Sequence, residues 1–597
     1  MNVAITGEGI VSAIGIGKEA VLQSLLLGKT GIGKMTYLDS AHHELPVGEV
    51  KLSNLQMKEM LGIASNQIMS RTALLGMLAI NQALKEARIT AESKATNGKG
   101  LRIVLVSGTT VGGMDITEHY FDQFKNFENV DLLHHHDCGN NSKKIADHFG
   151  IFDDVTTIST ACSSAANALM LGARLLKAGQ ADIVVAGGTE ALSRFHLNGF
   201  NSLMILDHKQ CRPFDATRAG LNLGEGAAFI VLESEELARA RGVETHAYLS
   251  GYGNACDAFH QTASSENGEG AYQAMKAALT EANLVPGDIQ YINAHGTGTP
   301  NNDQSESVAL GRIFGENMPP VSSTKSFTGH TTSASGSIEA VICLLAMKHR
   351  FIPANLGWEN IMDNGLKPCM GQEGIVLRHI LCNSFGFGGN DSALIFSSCP
   401  TSVNNDNDIT KPAVNTTEEE IKVLSRVHIN SEERLSDIRK YVKPLEARRM
   451  GKLMKSSLLS SLEALEQAGI ETPDAIITGT AYGCLENSEK LLVQIKEEGE
   501  KMLKPTYFMQ STHNTIGSNI AIKTHCHGYN ITYTQERHSL EWAMRDAELL
   551  LRSGKAKTVL VGCHDETTEI FNSLLEKTGE TSVPTVNSVA MVLSCGE

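Results

Sequence analysis

The stretch that most restricts the fold is residues 156–192, TTISTACSSAANALMLGARLLKAGQADIVVAGGTEAL. A β-branched run meets Ala161-Cys162-Ser163-Ser164, passes into an Ala/Leu helical pattern and returns in a second apolar run, which predicts strand, sharp turn, helix and strand. Cys162 then stands at the start of a helix. Unpaired backbone N–H groups and the helix dipole favour a thiolate there, moving a thiol pKa from about 8.5 toward neutrality. A lone buried cysteine is ordinarily packing; what argues for chemistry is the company Cys162 keeps elsewhere in the chain.

The chain continues in the same manner. VAITGEGIVSAIG opens as a short apolar strand running into a glycine-rich turn, and a helical pattern runs from Met69 to Ala87. RIVLVSGTTVGGMD is another strand, and so is EGAAFIVLE. Alternating strands and helices predict a mostly parallel sheet covered by helices. The cluster His134, His135, His136 and Cys138 reads as a polar loop rather than a metal site, because adjacent residues cannot all face one ion.

At 597 residues the chain is too long for one core and implies three to four domain-sized units. Its twelve cysteines include no CxxC pair, and the first residues lack a basic-apolar-small leader, so a reducing cytoplasm is expected. No apolar run approaches the roughly 18 residues of a membrane span. A net charge of −16 argues against nucleic acid and anionic lipid as partners.

The strand-and-helix pattern restarts near Ala247. It leads to YINAHGTGTPNND around His295, then VSSTKSFTGH from Val321 to His330, then NSFGFGGND around Phe387. In each, polar residues stand where an apolar strand ends, the usual location of a site in an open α/β sheet.

These four ordered motifs, TACSS included, resemble the β-ketoacyl-acyl carrier protein synthase family, in its elongating Cys-His-His form, over residues 1 to about 398. The resemblance implies a thiolase fold, two similar α/β halves in αβαβα layers, divided here into 1–245 and 246–398. It implies that Cys162 takes an acyl chain as a thioester, which splits a hard condensation into two steps. His295 and His330 would then serve malonyl decarboxylation, and a buried Lys325–Glu339 pair would orient the site. Thr297 and Thr299 match positions that bind a phosphopantetheine arm, Phe387 a gating residue, and the N–H groups of Cys162 and Phe387 an oxyanion hole. Val111 matches the floor of the acyl pocket. No cofactor or metal is implied, since the substrates ride on an acyl carrier protein. The family pairs as homodimers through the strand leading into the cysteine turn, so a homodimer is expected, with a heteromeric ketosynthase complex as the other possibility.

The sequence departs from the family at two places. Thr331-Thr332-Ser333-Ala334-Ser335-Gly336 follows the second histidine where small apolar residues are common, and Asn390-Asp391 stand where Thr-Asn is frequent. Both put the substrate preference in question. The product class is left open among fatty acid, aryl polyene and related polyketide.

Residues 399–420 are polar and read as a linker. Beyond them the first half repeats weakly: Leu465 falls on Leu84, Gly554 on Gly179, and Arg537 on Cys162. Residues 421–597 therefore read as a half-thiolase-like α/β domain without catalytic residues, resembling small ketosynthase N-terminal-like proteins. As an incomplete half it should expose apolar faces and dock on the synthase unit, its partner copy or another protein. Cys484, Cys526 and Cys563 are structural thiols on this reading. Two function classes follow, an active condensing enzyme and a chain-length-factor-like partner without activity, and the presence of Cys162 favours the first.

Overall fold

The computed structural model describes residues 1–95, 100–363, 365–401 and 420–595. Most of the expected linker lies outside these residues. No helix among them is long and apolar enough to cross a membrane.

Fifteen principal strands carry the fold. They are β1 (Val3–Ser12), β2 (Ile103–Gly108), β3 (Asp154–Ile158), β4 (Ile183–Glu190), β5 (Gly226–Ser234), β6 (Ala247–Cys256), β7 (Tyr291–Asn293) and β8 (Val321–Ser322), then β9 (His379–Gly386), β10 (Asn390–Ser397), β11 (Ile421–Ile429), β12 (Ala475–Gly479), β13 (Tyr529–Tyr533), β14 (Thr558–Glu566) and β15 (Val586–Cys595). Their order across one continuous sheet is β8-β7-β9-β10-β6-β1-β5-β4-β2-β3-β13-β12-β14-β15-β11. β3-β2-β4 and β13-β12-β14 are parallel triplets, each extended by two antiparallel strands. The C-terminal unit thus repeats the N-terminal half strand for strand.

The layering follows from burial. Helices α1 (Ser164–Lys177) and α2 (Ser335–His349) are buried along almost their whole length and touch strands of both synthase halves, so they form the middle layer. On the outside, Ser70 caps helix Arg71–Glu86 by accepting from the Ala73 N–H at 3.1 Å. That helix lies so close to β1 that a Cβ on Gly9 would sit 1.8 Å from the Ala79 carbonyl oxygen. Two mixed sheet halves around a central helix pair, with helices outside, make the expected αβαβα thiolase arrangement.

The C-terminal unit departs from expectation in two respects. Its counterpart of α1, helix α3 (Ser539–Arg552), turns Trp542, Ala543, Asp546 and Ala547 inward while Glu541, Glu548 and Arg552 are exposed. The outward face of α3 thus carries charged residues where the sequence reading expected an apolar one. Docking instead uses the edge of the sheet. Tyr533 pairs with Ile158, the Ser159 N–H donates to the Thr532 carbonyl at 2.9 Å and the Thr534 N–H to the Thr157 carbonyl at 3.0 Å. The edge through which a homodimer was expected is occupied by the chain's own C-terminal unit, so a synthase homodimer through that strand is not what this molecule builds.

Buried groups lock the joint. Arg174 of α1 lies 2.6 Å from Asp546 of α3, and Tyr529 hydrogen-bonds both at 2.8 Å. Arg545 reaches Asp154, and Lys555 reaches Glu281. His134, expected in a polar loop, instead pairs with Asp137 and with Glu580 across the joint, and those carboxylates lift it to about 9.

Candidate active site

β3 ends at Ile158, and the chain turns through Thr160 into a 3-10 turn, Ala161–Ser163, that runs directly into α1. Ala161 takes a left-handed φ of 51°, unfavourable for a residue with a Cβ. The same elbow recurs at Thr332 (φ 44°) and Glu536 (φ 47°), one in each of the other units. It thrusts the next side chain away from the backbone, and in the first unit that side chain is Cys162.

Cys162 Sγ lies 3.0 Å from His330 Nε2, and His330 Nδ1 lies 3.0 Å from Ser335 Oγ. The His295 ring stands 5.3 Å from that of His330, edge to face, and the reactive atoms of Cys162, His295 and His330 fall within 4.8 Å of one another. Three of the predicted residues, drawn from strand ends far apart in sequence, thus converge on one point. Burial, with the charge of Lys325 nearby, holds both imidazoles well below the ordinary histidine pKa, so both are neutral. His295 Nδ1 has no hydrogen-bond partner among the described residues.

The expected helix-start thiolate is not the resting state. Burial pushes the Cys162 thiol up to about 12, against the pull of Lys325 and of the N–H groups of Phe387 and Cys162 itself. Desolvation outweighs the helix terminus because the sulfur is enclosed. Among the described residues, the acceptor within hydrogen-bond distance of this thiol is His330 Nε2. Lys325 Nζ meets Glu339 Oε1 at 2.5 Å, both fully buried, and burial lifts Glu339 to about 7 despite the lysine.

Backbone on either side is held by carboxylates that the sequence did not single out. Glu306 accepts from the His295 and Gly296 N–H groups at 2.9 and 2.8 Å. Glu190 accepts from the Thr110 N–H at 2.8 Å and from Ser333 Oγ at 2.5 Å. Thr297 and Thr299 exchange a hydrogen bond at 2.9 Å on the turn after His295.

The two departures from the family have structural places. Ser335 orients His330, and Ser333 ties the following turn to Glu190. Asn390 accepts from Ser163 Oγ at 2.7 Å, beside Cys162, and donates to the Asn530 carbonyl in β13. It couples the nucleophile turn to the C-terminal unit.

That unit also reaches the site directly. Asn514 Nδ2 donates to the Phe387 carbonyl at 2.8 Å, and Gly388 is packed so tightly that a Cβ would meet Ser518 at 2.8 Å. His513 Nδ1 lies 3.2 Å from Ser159 Oγ. Phe387 stacks on Phe200 at 5.5 Å, and Phe508 packs edge-on against Phe195, His196 and Phe200. A cavity beside this cluster is walled by Thr110, Val111 and His196 from the synthase part and by Phe508, Thr512 and His513 from the C-terminal unit. The resemblance placed Val111 at the floor of an acyl pocket; Val111 lines this cavity, and the other five residues were not singled out from the sequence. The only signal available was the aromatic and histidine content of KPTYFMQSTHN, a segment with no counterpart in the motifs. Arg537, on the register of Cys162, is exposed, and its side chain hydrogen-bonds His538 at 3.3 Å. Cys484 and Cys526 are buried and Cys563 half-buried, all with free thiols raised by burial.

Residues 1–238 match the family described as beta-ketoacyl synthase, N-terminal domain, and residues 246–359 match its C-terminal domain. A second N-terminal domain of that kind matches residues 425–597. Over 425 residues, 66% of this chain and 98% of the relative, the chain is 31% identical to 3-oxoacyl-[acyl-carrier-protein] synthase 2 of Staphylococcus aureus (strain MRSA252). The corresponding protein of Vibrio harveyi is 32% identical over 428 residues, again 66% of this chain and 98% of the relative. Among solved structures, the ketosynthase ApeO in complex with its chain length factor ApeC from Xenorhabdus doucetiae is 31% identical, with a TM-score of 0.56 over 66% of this chain and 98% of that one. A PfaC keto synthase-chain length factor covers 100% of this chain and 78% of its own at a TM-score of 0.79; its 16% identity speaks for the fold alone.

Proposed function

This chain belongs to the β-ketoacyl synthase family, and from that premise we propose that it condenses an acyl chain held on Cys162 with a malonyl unit carried by an acyl carrier protein. The observation that carries this reading is the 3.0 Å contact between Cys162 Sγ and His330 Nε2, with neutral His295 beside it. His330 accepts the thiol proton as sulfur attacks the thioester carbonyl of the incoming chain, and the carrier thiol leaves with a proton. The N–H groups of Phe387 and Cys162 stabilise the oxyanion.

In the second step malonyl carrier loses carbon dioxide, and the electron pair of the broken bond becomes an enolate. His295 and His330, as neutral donors, hold its oxygen. The enolate carbon attacks the acyl carbonyl on Cys162, the carbon–sulfur bond breaks, and the product leaves as a 3-oxoacyl carrier while the expelled Cys162 thiolate takes one proton from water. A preorganised donor of this kind is worth about 2.7–4 kcal/mol. Lys325 and Glu339 fix the field around the histidines, and Thr297 and Thr299 line the approach of the phosphopantetheine arm. No other cofactor enters these steps.

Residues 1–245 and 246–398 form the synthase and 421–597 a catalytically silent half. Its nearness to the gate residue Phe387 and its share of the cavity wall support a role as a built-in chain-length element. The chain then unites the two function classes that its sequence left as alternatives. Intact-mass spectrometry after incubation with acyl carriers tests the first step, and release of carbon dioxide from malonyl carrier tests the second. A well-folded protein that neither acquires an acyl group on Cys162 nor decarboxylates malonyl carrier would refute the reading.

A further inference from the structure

Lys144, on helix Cys138–Phe149, lines a cavity of about 380 Å³ in the synthase part that shares no residue with the site around Cys162. Ile63, Ile68, Met69 and Met77 form its apolar wall. Lys144 is half-buried there, and among the described residues its ammonium group makes no ion pair and no hydrogen bond. The titratable side chains that share the cavity are Asp147 and His148 from the same helix and His135 from the turn before it. Burial holds both histidines below the ordinary value, so they are neutral at pH 7.5, and the Asp147 carboxylate lies beyond ion-pair distance. Nothing therefore replaces the lost hydration of Lys144, and burial pulls its ammonium down to about 8.

An amine attacks only when neutral. At pH 7.5 an ordinary lysine is neutral in about 0.1% of molecules, whereas one titrating near 8 is neutral in about a quarter. A lysine desolvated in an apolar pocket is the activated form of this nucleophile. An acyl thioester joins an apolar tail, which such a wall can cover, to a carbonyl that a neutral amine attacks. We propose that Lys144 is a covalent acylation site, whose amine takes the acyl group of a short-chain thioester as an amide while the tail lies against Ile63, Ile68, Met69 and Met77. Nζ attacks the thioester carbonyl, the carbon–nitrogen bond forms, the carbon–sulfur bond breaks, and the proton shed by nitrogen goes to the departing thiolate. The product is uncharged, so the apolar wall no longer faces an ammonium group. This chemistry is separate from the condensation at Cys162 and does not depend on it.

The test incubates the full chain with butyryl-coenzyme A, strips thioesters with hydroxylamine and locates the surviving butyryl amides by peptide mass spectrometry. Because an amide resists hydroxylamine, it is read apart from any thioester on Cys162. At pH 7.5 the amide should form at Lys144 at least about tenfold faster than at Lys143, the exposed lysine beside it. The Lys144 rate should rise with pH to about 8 and level off above, whereas an ordinary exposed lysine keeps gaining to about pH 10. Ile68→Glu sets a carboxylate in the wall, favours the ammonium form and should slow labelling of Lys144 about tenfold while leaving Lys143 unchanged. Equal labelling of Lys143 and Lys144 in the wild-type protein would overturn the proposal. So would a Lys144 rate that keeps climbing past pH 9, or one that Ile68→Glu leaves untouched.

Discussion

Tyr533 is the antiparallel ladder partner of Ile158, and through that pair the strand feeding Cys162 continues into the chain's own C-terminal unit. The residues that follow Ile158 are Ser159, Thr160 and the nucleophile elbow, so the third unit is joined to the backbone that aims the sulfur. His513 on Ser159, Asn530 on Asn390 and Asn514 on Phe387 add three further attachments around the same point. The C-terminal unit, proposed above to be catalytically silent, is thereby built into the surroundings of Cys162.

Cys162→Ala should abolish both acylation and condensation with the fold retained, because Ala161–Ser163 is fixed by hydrogen bonds that do not use the sulfur. Ser163 and Ser164 make those bonds to Thr160, Ala161 and Asn390. Intact mass and circular dichroism check the two halves of this expectation. Acyl transfer persisting in the folded variant would move the nucleophile elsewhere.

The two histidines should separate by pH. Among the described residues His330 is the side chain that hydrogen-bonds the thiol, so His330→Ala should slow acylation by about 10²–10⁴-fold at pH 7, whereas His295→Ala should spare acylation and remove decarboxylation. In wild type the acylation rate should change little between pH 6.5 and 9, since burial keeps His330 neutral throughout. In His330→Ala the attacking species is the free thiolate of a thiol pushed up to about 12, whose fraction rises about tenfold per pH unit below that value. The variant's rate should climb accordingly with pH. A flat profile in His330→Ala would mean that His330 is not the base.

Much of the site was legible in the sequence because each motif sits at a strand end, and strand ends in this topology meet at one edge. Cys162, His295, His330, Lys325, Glu339 and Phe387 converge as that logic requires. The state of Cys162 was misjudged: a helix start argues for a thiolate, but burial is a tertiary quantity and it prevails here. The repeat in residues 421–597 was legible from its helix and glycine register, whereas its docking was not. The expectation of exposed apolar faces assumed the helix composition of the first unit, whereas Glu541, Glu548 and Arg552 give α3 a charged outward face. Phe508, His513 and Asn514 were invisible because the segment carrying them acts across a joint that no local pattern announces.

Gly199 and Phe508 provide a test of how the two parts fit. A Cβ at Gly199 would lie 2.1 Å from Phe508 Cδ2, so Gly199→Ala should force the ring aside, costing about 1–3 kcal/mol and altering chain selection. Phe508→Ala should cost about 3–5 kcal/mol by leaving a cavity, and it should lengthen the chains that Cys162 accepts. Because the two changes relieve one another, the double variant should be more stable than the sum of the single losses implies. Additive losses in a double-mutant cycle would show that the contact does not carry the fit.

The buried pair of Arg174 and Asp546 holds the joint through charge, and here the single change should cost more than the double one. Asp546→Leu leaves the Arg174 guanidinium and the Tyr529 hydroxyl enclosed without their carboxylate, a loss of about 3–5 kcal/mol. Arg174→Met with Asp546→Leu replaces both charges by packing and should recover most of that loss, since a buried ion pair contributes little net stability over an apolar one. Denaturant unfolding followed by Trp542, which stacks on Tyr533 within 6.4 Å, reports on this joint directly. Loosening it should also release Asn514 from Phe387 and Phe508 from its aromatic neighbours, so acylation of Cys162 should fall in Asp546→Leu and return in the double variant. If the joint loosens while acylation keeps its wild-type rate, the C-terminal unit contributes nothing to the site, and the built-in chain-length role falls with it.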